Sequence, residues 1–252
     1  YYYTFVVGGS YALYTMLEDP KNIASKNDND NYPHLYSVGT NKRLIDQAQG
    51  LVGYWSFDEG TGTIAYDYSG NNNHGTLYNG PQWVDGKVGK ALSFDGVNDY
   101  VNCIPSPYLP AGSFSRTIIA WLNQSGYTAG INHIFHYGNG SYNQAFGLAV
   151  YNDTKFGAHE WSIYTRYGSV PLNQWIFLAI TLSGNTIKKY YQNGTLIAIH
   201  TNDPAPNTIL NSCKIGTRIS PAEYFRGLID EVRIYNRALS DEEIKALYEV
   251  TK

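Results

Sequence analysis

Apolar and polar residues alternate in short runs along most of this 252-residue chain. A period of two marks half-buried strands. Near the start, Phe5 and Val7 alternate, "GGS" turns the chain, and Tyr11, Leu13, Thr15 and Leu17 alternate again. This predicts a hairpin over 1–18, which needs a further surface to be stable. Residues 19–48 are poor in apolar groups. "DPKNIASKNDNDNYPHL" reads as a polar loop and "NKRLIDQAQ" as a short helical turn or linker. The pattern changes near residue 49, which sets a boundary between a 1–48 region and a 49–252 domain. From there the strands "GLVGYWSF", "KALSFDG", "DYVNC", "RTIIAWLN", "HIFHYG", "FGLAVYN", "EWSIYT", "QWIFLAITLS", "TIKKYYQNG", "TLIAIH", "CKIGTR" and "FRGLIDEVRIY" follow closely. No long helices separate them, so a parallel α/β sheet is disfavoured and an antiparallel sandwich is expected. "LSGN" at 182–185 and Asn193–Gly194 predict tight hairpin turns. One helix is expected, in "SDEEIKALYEV". Ser240 and Glu243 form a capping box, Asp241 and Glu242 meet the positive end of the dipole, and Ile244, Leu247 and Tyr248 share a face.

Composition narrows the function. Only 15% of residues are charged, while there are 24 tyrosines and five tryptophans. That surface suits neutral sugars, on which rings stack and to which amides hydrogen-bond. The net charge is −3, with no basic block, which argues against nucleic acid and anionic membranes. No run approaches a membrane span of roughly 20 apolar residues. The chain opens on "YYYTF" rather than Met, and a trimmed or matured product is expected. Cys103 and Cys213 permit one bridge without demanding it.

Several turns concentrate oxygen and amide groups. "FDEGTG" holds Asp58, "DYSGNNNHG" holds Asp67, Asn71, Asn73 and His74, and "FDGVNDY" holds Asp95 and Asp99. Such loops can offer Ca²⁺ its six to eight oxygens, or they can cap turns through Asx bonds. Asp230 interrupts the apolar run of the last strand. If buried, it must pair with Arg233 or Arg226, or ligate a metal. Transition-metal chemistry finds no support. His133 and His136, three apart in a strand, should point to opposite faces, and "HExxH", "CxxC", P-loop and "GxSxG" signatures are missing. The acid pairs Asp153 with Glu160, and Glu223 with Asp230, carry no signature of a glycosidase cleft, so an enzyme is not expected. The binding surface is expected at Tyr127, His136, Tyr142, Asn143, Trp161 and Arg166. These lie in or beside loops where rings and amides can meet a glycan or a protein.

The segment from Gly50 to Val101, together with "NQWIFLAITL", "YYQNGTLI" and the closing "KIGTR…YFRGLIDEVRIYNRALSDEEIKALYE", resembles a concanavalin A-like domain of the laminin-G/pentraxin type. The resemblance implies an all-β, two-sheet antiparallel jelly roll with a short C-terminal helix. Its first and last strands would be neighbours. It also implies a structural calcium ion at Asp58, the Asp67–His74 stretch and Asp230, and a binding or adhesive role at an extracellular or bacterial cell surface. Residues 1–48 are similar to the sheet region of type IV pilins and type II secretion pseudopilins, whose long membrane-inserted helix would precede Tyr1. That likeness implies a pilin-like subunit carrying a binding head, with filament subunits as partners. The alternatives are filament decoration without a small ligand, or a glycoside hydrolase or lyase on the same sandwich.

Overall fold

The structure, a computed structural model, describes residues 2–6, 10–16, 35–37, 49–128, 130–161, 164–220 and 223–252. The chain divides into two compact units, Tyr1–Gln49 with Glu249–Lys252, and Gly50–Tyr248. In the first unit β1 (Tyr2–Val6) and β2 (Ser10–Met16) pair antiparallel, with Tyr2 opposite Tyr14 and Val6 opposite Ser10. The hairpin expected over 1–18 is met by this strand pair over 2–6 and 10–16; its turn, 7–9, and residues 17–18 lie outside the described residues. A third strand, β3 (Leu35–Ser37), adds to β2. The stretch 41–48, expected as a turn or linker, lies outside the described residues.

The second unit is a sandwich. Its strands are β4 (Leu51–Trp55), β5 (Ile64–Ala65), β6 (Gly75–Tyr78), β7 (Gln82–Asp85), β8 (Lys90–Asp95), β9 (Tyr100–Cys103), β10 (Arg116–Gln124), β11 (Asn132–Gly138), β12 (Ala145–Val150), β13 (Phe156–His159), β14 (Tyr164–Tyr167), β15 (Trp175–Ser183), β16 (Ile187–Gln192), β17 (Thr195–His200), β18 (Ser212–Ile215) and β19 (Arg226–Tyr235), followed by α1 (Asp241–Thr251). One eight-stranded sheet runs β17-β16-β15-β10-β19-β8-β7, with β4 also paired to β19; the other runs β14-β13-β12-β11-β18-β9-β6-β5. The first and last strands of the domain are neighbours, with Trp55 opposite Val232.

Alternation explains the core. Ile118, Ala120 and Leu122 of β10 face Phe146, Leu148 and Val150 of β12 and their neighbours between the sheets. The intervening Ile119 and Trp121 point to the other side of β10, where they pack with Phe177 and with Ile244 and Leu247 of α1. Burying each such side chain stabilises by about 1.5–3 kcal/mol, enough to dock one helix. Its start is capped as expected: Glu243 N donates to Ser240 Oγ at 3.2 Å and Ser240 N to Glu243 Oε2 at 2.7 Å. The Asn193–Gly194 turn has φ of 50° and 73°, the left-handed pair a primed hairpin requires.

Departures from the expected strands have local causes. β5, β6 and β7 are short and carry little alternation. The run "EWSIYT" does not form one strand. β13 ends at His159, β14 begins at Tyr164, and Trp161 between them has φ 51°. Cys103 and Cys213 sit directly opposite each other on β9 and β18 as buried free thiols. Arg116 is buried and uses all its donors. Its Nε reaches Phe114 O at 2.8 Å, Nη1 reaches Tyr137 Oη and Thr208 Oγ1 at 2.8 Å, and Nη2 reaches Gly112 O at 2.7 Å and Ala111 O at 3.2 Å. A buried charge is tolerated when it is satisfied in this way.

Candidate functional site

The loop from Asp67 to Gly75 is a hydrogen-bonded knot. Tyr54 N and Ser69 N donate to Asp67 Oδ1 at 2.8 and 2.9 Å. Oδ2 takes Ser69 Oγ, Asn73 N and Asn73 Nδ2 at 2.9, 2.9 and 2.6 Å. Asn71 Nδ2 and Asn73 Nδ2 both donate to Val52 O, Asn73 Oδ1 accepts from Ser106 N, and His74 Nδ1 accepts from Asp67 N at 3.0 Å. The groups converging on this carboxylate are donors, which is the arrangement of an Asx-bonded turn and not of a cation shell.

Asp58 and Asp230 belong to a different feature. Asp58 Oδ1 accepts from Lys90 N at 2.8 Å, and Asp230 Oδ2 accepts from Lys87 N and Val88 N at 2.9 and 3.0 Å. Together they grip the turn between β7 and β8. Asp230 pairs with neither Arg233 nor Arg226; Arg233 is bonded instead to Glu231. Burial, opposed by the two amide bonds and reinforced by Glu231 and Asp58, pushes the Asp230 carboxyl up to about 8. Its Oδ1 is buried without a hydrogen-bond partner. The six residues assigned to calcium by resemblance thus take part in two hydrogen-bonded structures, one closed on Asp67 and one holding the β7–β8 turn through Asp58 and Asp230.

The chemistry concentrates on the outer face of the second sheet. Its cross-strand register sets Thr76, Asn102, Lys214, His136 and Gly147 in one row, and His133, Ala149, Gly157 and Arg166 in the next. The expectation that His133 and His136 oppose each other is overturned by a β-bulge. Between His133 and Phe135 the pairing to β12 slips by one residue. Ile134 and Phe135 then both enter the core, and both histidines leave it on the same side. His159 of β13 joins them. The three rings meet pairwise, with centroids 5.0, 4.6 and 4.9 Å apart. Among the described residues this is the one group of three or more His, Cys, Asp or Glu side chains whose ligand atoms cluster, within 4.8 Å. Small residues make the room: a Cβ on Gly147 would collide with His136 Cδ2 and with the Phe135 carbonyl.

All three imidazoles are buried, and burial holds each below its ordinary pKa. His136 lies well below it, with His159 and His133 adding repulsion. His159 falls to about 2, and His133 is lowered despite its bond to Glu223. They are neutral at pH 7. His133 Nε2 donates to Glu223 Oε2 at 3.2 Å. That bond, together with nearby Arg218, keeps the Glu223 carboxylate below its usual range. Ile219 N donates to His136 Nδ1 at 3.3 Å, and His136 Nε2 meets His159 Nδ1 at 2.8 Å.

Trp161 borders the cluster, its ring 6.3 Å from His136, 6.2 Å from His159 and 5.3 Å from the Arg218 guanidinium. Its carbonyl accepts from Asn143 N, which ties it to the β11–β12 loop where Tyr142 is 63% exposed. Of the residues expected to bind ligand, His136, Tyr142, Asn143 and Trp161 thus gather at one end of this face. Arg166 shares the sheet face but pairs with Asp153 at 3.1 Å and stacks on Tyr151. It also lines a cavity of about 180 Å³ with Gly130, Ile131, Tyr151 and Asn152. Tyr127 lies apart, packing against the core with its hydroxyl donating to Val170 O. Missed by sequence were Glu223, Arg218, His133 and His159 as members of the cluster, together with the stacked pair Tyr78 and Tyr100, 5.1 Å apart at 3°. The candidate acids are engaged elsewhere: Glu160 is buried against Lys188 at 2.7 Å, Asp153 holds Arg166, Glu223 bonds His133 of the second sheet, and Asp230 lies on β19 of the first.

Comparison with known proteins gives the same architecture. The fourth domain of AbnA, an extracellular GH43 arabinanase of Geobacillus stearothermophilus solved with arabinotriose, is 24% identical. The match covers 79% of this chain and 98% of that one, with a TM-score of 0.60. A mutant of Trypanosoma rangeli sialidase displaying trans-sialidase activity is 19% identical over 79% of this chain, with a TM-score of 0.60, but the match spans 32% of the sialidase. The binding domain of Paraclostridial Mosquitocidal Protein 1 is 16% identical, covering 80% of this chain and 52% of that one, with a TM-score of 0.64. At these identities the likeness is one of fold. No curated protein sequence matches. A laminin-G-type profile described as the concanavalin A-like lectin/glucanases superfamily matches residues 95–245, and with the two antiparallel sheets already described this places the chain in that superfamily.

Proposed function

We propose that the sandwich is a noncovalent glycan-binding module acting outside the cell, and that its contact surface is the end of the second sheet around Trp161 and Tyr142. The observation that carries this is the backbone of Trp161. A bulky residue at φ 51° costs about 1–3 kcal/mol and recurs where structure is held for function. Here the strain sets a half-buried indole beside Arg218, next to an exposed tyrosine and the amide of Asn143. Rings of this kind stack on sugar faces, and the half-buried Arg218 can donate to hydroxyls, while the buried Asn143 amide holds the loop through its bond to Ala205 O at 2.7 Å. The fold shared with a domain of an arabinan-degrading enzyme and with a toxin's binding domain supports a binding role and offers arabinotriose as the first probe.

The three-stranded antiparallel sheet β1–β3 supports the further proposal that the first unit is the sheet portion of a pilin-like subunit presenting this head. The superfamily match does not extend to it. The test is an array of neutral and sialylated glycans probed with the full chain, followed by titration of each hit. Trp161→Ala and Tyr142→Ala should each weaken binding at least tenfold with unchanged melting. Binding indifferent to both substitutions, or no binding to any glycan, would discard the assignment.

A further inference from the structure

We propose that His133, His136 and His159 form a binding site for one divalent transition-metal ion of the Zn²⁺ class. Zn–N bonds of about 2.0–2.1 Å in tetrahedral geometry place ligand nitrogens about 3.3–3.4 Å apart. The ligand atoms here lie within 4.8 Å, with the closest pair at 2.8 Å, so small ring rotations bring all three to one centre. A second observation points the same way. His133 Nε2 is engaged by Glu223, and its other nitrogen, Nδ1, is buried without a hydrogen-bond partner. A lone pair left bare in the interior is costly, and an ion among the three rings would take it.

The carboxylate behind His133 has the place of an outer partner that orients a ligating imidazole and raises its basicity. The ligand set is all imidazole, which favours Zn²⁺, Co²⁺, Ni²⁺ or Cu²⁺ and disfavours Ca²⁺ and Mg²⁺. Proton balance is straightforward. His133 already carries its proton on Nε2, toward Glu223. His136 must shift its proton from Nε2 to Nδ1, giving up the 3.3 Å bond from Ile219 N. No proton leaves the cluster. The fourth position is left to water or an external ligand. Packing alone gives a weaker account, because an apolar trio would fill the same space without a bare nitrogen.

The experiment uses the full chain without a histidine tag, stripped with chelator and titrated calorimetrically with ZnCl₂, CaCl₂ and MgCl₂ at neutral pH. One equivalent of Zn²⁺ should bind, the melting temperature should rise with Zn²⁺ alone, and Co²⁺ should give the visible absorption of a tetrahedral imidazole site. His159→Gln should weaken Zn²⁺ binding at least 100-fold, and Glu223→Gln by about 10–100-fold. Absence of saturable Zn²⁺ binding by the unmodified chain overturns the site, as does stoichiometric binding that survives loss of all three histidines. Should the histidine variants fail to fold, the Co²⁺ spectrum of the unmodified chain decides, and its absence also overturns the site.

Discussion

Replacing Asp67 by alanine is the sharpest test of how the Asn-rich loop is held. The carboxylate accepts five bonds, from Tyr54 N, Ser69 N, Ser69 Oγ, Asn73 N and Asn73 Nδ2. Ser69 lies partly in water and can replace its bonds there. Asn73 Nδ2 retains Val52 O. Two donors, Tyr54 N and Asn73 N, are left facing a methyl group, and each buried orphan costs about 1–3 kcal/mol. The expected loss is therefore about 4 kcal/mol. Urea unfolding followed by tryptophan fluorescence reads it directly: with a slope of about 2–3 kcal/mol per M for a chain of this size, the midpoint should fall by about 1.5 M at unchanged slope. The measurement is run in chelator and again with added calcium. Protein N–H groups fill the carboxylate, so both series should show the same loss. A loss below about 1 kcal/mol would mean that the loop does not close on Asp67. A loss seen only with calcium would mean that an ion, not the amides, is the partner.

Other consequences follow from single groups. Because burial raises the native carboxyl of Asp230 to about 8, its contribution is full below the unfolded pKa and is lost as pH rises from about 4 through 8. Asp230→Asn should flatten the fall of unfolding free energy across that window by up to about 1.4 kcal/mol per pH unit, and an unchanged slope in denaturant titrations at several pH values would contradict the assignment. Arg116→Lys leaves three donors where five are used, so a loss of about 3 kcal/mol or more is expected; a change within about 0.5 kcal/mol, the range of ordinary surface substitutions, would refute the role. The thiols of Cys103 and Cys213 are buried, and burial pushes Cys103 well above its usual pKa. Thiol reagent should find neither in the native chain and both after denaturation, and prompt native reaction would show the β9–β18 pairing to be open.

Much of the fold was legible because its causes are local. Strand alternation in "RTIIAWLN" and "QWIFLAITLS", the left-handed pair Asn193–Gly194, and the reciprocal bonds of Ser240 and Glu243 all lie within a few residues of one another. Of the residues expected to bind ligand, Trp161, Tyr142, Asn143 and His136 were legible as loop or strand groups, and the structure brings them to one end of the second sheet. Tyr127 was not separable from them, since only packing shows that its ring belongs against the core.

What the amino-acid order alone determined, then, is the alternation, the turns and the helix cap, and through them a two-sheet antiparallel sandwich. Tertiary structure decided where the polar groups point. A one-residue bulge at Ile134 turns His133 and His136 to the same side, and another at Glu231, at φ 54°, puts two successive acids outside the core. Parity along a strand is local, but the slip that inverts it is set by pairing with distant strands. The same holds for the partners of Asp230 and His133, which lie 142–143 and 90 residues away in sequence, and for Tyr54, 13 residues before Asp67, so only the folded chain shows whether a polar loop meets an ion, an amide or another imidazole.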